Sequence, residues 1–107
     1  TQKQNSTVIQ QSLGLAAIPL TTQIARQLGA SEDTRGVVIT AVDDSSDAGS
    51  KGLQRGDIIL SANYRQLTSI ADLEAVVRAA KAENREAVLL RIQRRGQPAI
   101  YLPVRLR

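Results

Sequence analysis

Residues 46–59 read Ser46-Asp47-Ala48-Gly49-Ser50-Lys51-Gly52-Leu53-Gln54-Arg55-Gly56-Asp57-Ile58-Ile59, and Asn63 follows shortly after. The stretch spells out a turn followed by a strand. Ala48 is small enough for a tight helical turn over Ala48 to Lys51, and Gly52 permits the positive φ that ends it. Leu53 is placed to plug a core. Gly56-Asp57 then swings the chain into an apolar strand, Asp57-Ile58-Ile59-Leu60-Ser61-Ala62, which is left through Asn63.

Working outward, Gly36-Val37-Val38-Ile39-Thr40-Ala41-Val42 is rich in β-branched residues and reads as a buried strand. It runs into the polar stretch Asp43-Asp44-Ser45-Ser46-Asp47. Further upstream, Ser12-Leu13-Gly14-Leu15-Ala16-Ala17-Ile18 is expected to be a short strand ended by Pro19. Thr21 can cap a helix that Gly29 stops, with Ile24 and Leu28 on one face. Residues 1–11 are rich in Gln, Asn, Ser and Thr and read as a linker, which leaves 12–107 as the folded domain.

Downstream, Ser69 opens the one long helix, with Asp72 three residues on in a variant of the capping box. Ile70, Leu73, Val76, Val77 and Ala80 recur at helical spacing as far as about Ala82. Two strands, Ala87 to Gln93 and Ala99 to Leu106, flank the turn Arg94-Arg95-Gly96-Gln97-Pro98. The order predicts an α+β domain with five or six mainly antiparallel strands and two helices.

Composition narrows the chemistry. The 107 residues contain no His and no Cys. That removes nucleophiles activated by histidine, and nearly every zinc or transition-metal site. No cofactor or metal is expected. Phe, Trp and Met are absent too, so the core must be built from Leu, Ile, Val and Ala, with Tyr64 and Tyr101 as the two aromatics. No apolar run reaches the roughly 18 residues that span a bilayer, so no membrane insertion is expected. The opening residues Thr1 to Thr7 are polar and lack the apolar stretch of a secretion signal. The net charge of +4 is uneven, because residues 78–107 carry eight basic groups against Glu83 and Glu86. Such a basic end can face nucleic acid. Without aromatic stacking platforms the plainer reading is solvated strand faces, with Arg94 and Arg95 at a hairpin tip.

The stretch from Ser46 to Asn63 resembles the central signature of bacterial PDZ domains, roughly S-P-A-x-x-A-G-L-x-x-G-D-x-I with a following N. This copy has Asp47 for the Pro, Gly49 for one Ala and Lys51 for another, changes expected to loosen the turn without moving it. The resemblance covers nearly all of residues 12–106 and is closest to PDZ domains of the HtrA/DegP (Do-like) serine proteases. The ending, Ile92-Gln93-Arg94-Arg95-Gly96 and Ile100 to Leu106, looks most like the last PDZ domain of such a protease. The resemblance implies a partly open barrel and a periplasmic parent protease of protein quality control, assembled from trimers. It implies no catalytic residue in this chain.

The same resemblance implies a peptide site. The family's carboxylate-binding loop falls on Ser12-Leu13-Gly14-Leu15, where the amides of Leu13, Gly14 and Leu15 can form a nest for one anion. Leu15 to Ile18, including Ala17, would offer a strand edge to a peptide, the binding mode for which PDZ domains are a standard example. On the long helix, Asp72, Val76 and Ala79 or Ala80 fall along one stripe. Leu13, Leu15, Val76 and Ala80 are expected to line a pocket for an apolar terminal side chain. Leu73, Val77 and Ile70 are expected to face the core. Asp72 could meet a polar or basic ligand side chain, or serve as a helix-start charge. The implied partners are C-terminal or unfolded peptides of protein substrates and the other domains and subunits of the parent. A different class of reading is assembly, with a degenerate groove and docking between subunits. Asp43, Asp44 and Asp47 could be drawn as a calcium loop, but three acids in a Ser-rich loop are more often plain surface.

Overall fold

The computed structural model describes residues 7–30, 34–94 and 97–106. Among these the chain runs α1 (Thr7–Leu13), β1 (Leu15–Pro19), α2 (Thr22–Gln27), β2 (Val37–Val42), α3 (Asp47–Ser50) and β3 (Ile58–Ala62). It continues through β4 (Arg65–Gln66), α4 (Ile70–Ala82), β5 (Ala87–Gln93) and β6 (Ile100–Arg105). The sheet order is β1-β2-β3-β5-β6, with β4 paired to β3, and every pairing is antiparallel. The sheet does not close on itself. This is the α+β architecture expected, with β4 and α1 added to it.

Local chemistry explains most elements. Thr21 Oγ1 accepts from the Ile24 amide and starts α2. Ser69 Oγ accepts from the Asp72 amide and starts α4, whose Ile70, Leu73, Val76, Val77 and Ala80 are all buried. The capping box is extended by one residue: the Asp72 carboxylate reaches back to accept from the amide and hydroxyl of Thr68. Asn63 spans two strands, its amide donating to the Leu89 carbonyl and its Oδ1 accepting from the Leu89 amide. The core is aliphatic throughout, while Tyr64 and Tyr101 sit outside it with ring centroids 5.7 Å apart.

Two expectations are corrected. Residues 7–11, read as linker, belong to the helix α1, whose Ile9 is 1% exposed and part of the core. The expected strand over Ser12 to Ile18 therefore begins only at Leu15, because Ser12 and Leu13 end that helix. Residues 1–6 lie outside the described residues.

The second correction concerns Arg94. Its Nε and Nη2 donate to the two carboxylate oxygens of Asp57 at 3.0 and 2.8 Å, and Nη2 also donates to the Gly52 carbonyl. Asp57 is 3% exposed and takes a further bond from the Gln54 amide. The hydrogen bonds to Asp57 hold the guanidinium still more firmly protonated. Arg94 is thus a clamp between the signature turn and the end of β5, not a solvated tip. Arg95 lies outside the described residues. Arg94→Ala strands a buried carboxylate and should cost about 2 kcal/mol, a discounted value because the guanidinium is partly exposed. Arg94→Lys should recover only part of it, since an ammonium cannot reach both oxygens. Urea melts of the three proteins check this, and full recovery by Lys would rule out the two-point clamp.

Candidate functional site

The signature turn also secures the far edge of the sheet. Asp47 Oδ2 accepts from the Arg105 amide at 2.8 Å, and Lys51 Nζ donates to the Pro103 carbonyl at 3.1 Å. Asp47 and Lys51 are two of the three departures from the signature, so those side chains tie α3 to β6 instead of loosening the turn. Leu106 donates to Glu86, so even-numbered residues face β5 and odd ones face outward. Along that outward edge Pro103 has no donor, its carbonyl is taken, and the Arg105 amide is taken. From Pro103 to Arg105 that edge is blocked to an incoming strand, while Tyr101, also of the outward set, is half exposed.

The opposite edge is arranged differently. β1 pairs only with β2 among the described residues, and the register skip between Ala16 and Ala17 falls on Thr40 of β2. The Gly14 carbonyl accepts from the Asp43 amide, and the Leu20 amide donates to Gly36. Even residues of β1 therefore face β2, which leaves the main-chain groups of Leu15 and Ala17 directed outward. Their side chains are buried in the core.

At the start of this edge sits Gly14, with φ +76°. Leu13, the last helical residue, followed by left-handed Gly14 is the αR–αL sequence that brings successive amides to one side. The Gly14 carbonyl is fixed at 2.8 Å by the Asp43 amide, and the buried Ser46 hydroxyl stands 3.5 Å from it. Its amide donates to the Gln10 carbonyl at 3.1 Å, as the cap of α1. A cleft of about 340 Å³ opens beside this junction, lined by Gln10, Gly14, Leu15, Ala16, Ala41, Val42 and Asp43.

The residues singled out in the sequence divide into two groups. Leu13, Gly14, Leu15 and Ala17 lie together at the α1–β1 junction and along β1. Val76, Ala79 and Ala80 line a second cleft whose other walls are Ala62, Asn63, Tyr64, Arg65, Glu83, Arg85 and Leu89, with no residue of β1 among them. Asp72 lies on that side too, bonded to Thr68 and 3.6 Å from Arg65 of β4. The reason is that both apolar stripes of α4 are buried, so periodicity marks the faces without saying which neighbour each one meets. Asp43 and Asp47 are engaged by Ser45 and Arg105. No group of three His, Cys, Asp or Glu that could hold a metal ion occurs among the described residues.

Comparison with known proteins now decides the family. The sequence pattern of the PDZ domain family matches residues 12–99. The chain is a PDZ domain. It is 36% identical over 94 residues to a protein of Brucella suis named "Probable periplasmic serine endoprotease DegP-like", a match covering 87% of this chain and 16% of that protein. A protein of the same name from Rhizobium meliloti is 39% identical over 75 residues, covering 69% of this chain and 15% of the relative. The chain therefore spans about a sixth of those proteins. Among solved structures, the HtrA3 PDZ domain bound to a phage-derived ligand (FGRWV) superposes with a TM-score of 0.71 at 21% identity, over 89% of this chain and 83% of that one. The HtrA-type protease AlgW with a decapeptide gives a TM-score of 0.63 at 25% identity, over 91% of this chain and 30% of that one.

Asp72 generates a pH prediction. Hydrogen bonds from the Thr68 amide and hydroxyl, helped by Arg65, hold its carboxyl below the ordinary carboxylate value. A depressed carboxyl stabilises the fold above its unfolded value near 3.9, and that stabilisation is lost as pH falls through the folded value. Thermal melts between pH 6 and about 2.5 should therefore fall more steeply for the native protein than for Asp72→Asn. Parallel curves would show that the Thr68 bonds contribute nothing to acid stability.

Proposed function

We propose that this PDZ domain captures apolar C-terminal ends of polypeptides by strand addition along β1. The observation that carries the reading is the asymmetry of the sheet: β6 is blocked at Pro103 and Arg105, while β1 presents the outward groups of Leu15 and Ala17 directly after a left-handed glycine. The terminal carboxylate would be received by the amides of Leu13, Gly14 and Leu15, and the next ligand residues would pair with Leu15 and Ala17. The opposite wall is α4. Fully buried Leu73 centres its packed face, and Val76 and Ala80 flank it towards β3–β4. Helical geometry then turns the other flank, Ile70 and Val77, towards β1 to receive the apolar end. The names of the relatives, periplasmic serine endoproteases, support a reading in which such capture occurs in the periplasm and the domain serves as a substrate-recognition module of a larger protease. Catalysis and contacts to other domains and subunits would belong to the rest of that protein.

A short peptide in this groove buries little surface, so a micromolar dissociation constant, about −8.2 kcal/mol, is expected. Calorimetric titration should detect free-acid peptides ending in Val, Leu or Ala, with the matching C-terminal amides at least about tenfold weaker, since one charged contact is worth about 1.5–3 kcal/mol. Equal affinity for acid and amide would remove the carboxylate mechanism. Gly14→Val forces a β-branched residue to a positive φ. It should abolish binding while leaving the cooperative melt in place.

A further inference from the structure

Capture at β1 faces an obstacle built from the chain itself. The PDZ match begins at residue 12, yet α1 reaches back to Thr7 and packs against both β1 and α4. Ile9 and Leu13, four residues apart on one helical face, are each 1% exposed within the core cluster that also holds Leu15 and Val77. Val77 is fully buried although no strand lies beyond β1 among the described residues. The Gly14 amide, central to the anion nest, already donates to a carbonyl oxygen of α1, that of Gln10. Beside it, the hydroxyl of Ser12 is buried with no hydrogen-bond partner, a costly arrangement for a group one residue from an anion site.

We propose that α1 is a self-docked gate on the peptide groove. In the closed state the Gln10 carbonyl stands where a ligand's carboxylate oxygen would accept, and Ile9 fills the space of its apolar side chain. Binding unwinds the last turn of α1, which frees the Gly14 amide and lets the Ser12 hydroxyl donate to the incoming carboxylate. The orphaned hydroxyl marks the closed form as one of two arrangements. The proposal rests on the peptide-capture reading and adds its regulation. Affinity is then lowered by the fraction of molecules whose gate is open.

Gln11 gives a handle on the gate without touching the core, because it is exposed on α1. In the full chain, Gln11→Pro removes a helical donor and should raise affinity for a free-acid peptide ending in Val by about tenfold or more. Gln11→Gly should raise it by about twofold, and Gln11→Ala should lower it by about twofold. The Cα chemical shifts of residues 10–13 should move from helical towards coil on saturation of the native protein. Equal affinity across all four proteins, with those shifts unchanged in the complex, overturns the gate and leaves peptide capture standing. Absence of binding by every one of them, Gln11→Pro and Gln11→Gly included, while all melt cooperatively, overturns capture and the gate together. If Gln11→Pro fails to fold, the order Gly above native above Ala decides.

Discussion

The buried carboxylate of Asp57 holds the architecture in register. One oxygen takes Arg94 Nε, and the other takes Arg94 Nη2 and the Gln54 amide, so the signature turn is locked to the end of β5. The Asp57 carbonyl accepts from Ile39, and the Ile39 carbonyl accepts from Gly56. That exchange sets β2 against the turn. β2 then ends at Val42, and the amide of the next residue, Asp43, fixes Gly14. A single ion pair is thus connected through main-chain bonds to the left-handed glycine that opens β1. Three donors on one buried carboxylate leave little tolerance for a displaced partner.

Gly36 adds the other constraint on β2. A Cβ there would lie 2.3 Å from the Ile59 carbonyl oxygen, so only glycine lets the strand begin in such close contact with β3. Together these fix a frame in which the two outer strands differ. Asp47 and Lys51 block β6 at Arg105 and Pro103 through side chains that the family pattern does not call for, and β1 has no strand partner but β2 among the described residues.

Much of this was legible in the residues because it is local. Ser69 and Thr21 cap helices at the positions that turn chemistry indicates, and the spacing from Ile70 to Ala80 marks a helix with a buried face. What escaped depends on distance or on composition. Arg94 finds Asp57 across 37 positions of sequence, which no window reveals. The helix α1 hides in residues typical of a linker, although its signal was present as the pair Ile9 and Leu13 at i, i+4. Which neighbour each stripe of α4 meets was not legible, because Ile70, Leu73, Val76, Val77 and Ala80 are all apolar and all buried. With no charged residue to break that arc, the sequence offers no direction for it.

The blocked stretch of the outer strand has a consequence for self-association. Sheets that lengthen without limit need an acceptor edge at both ends, so that each added copy exposes a fresh one. From Pro103 to Arg105 an arriving strand meets a residue without a donor, a carbonyl held by Lys51 and an amide held by Asp47. Continuous pairing along β6 is broken there, which disfavours the stacking of copies edge to edge into a fibre.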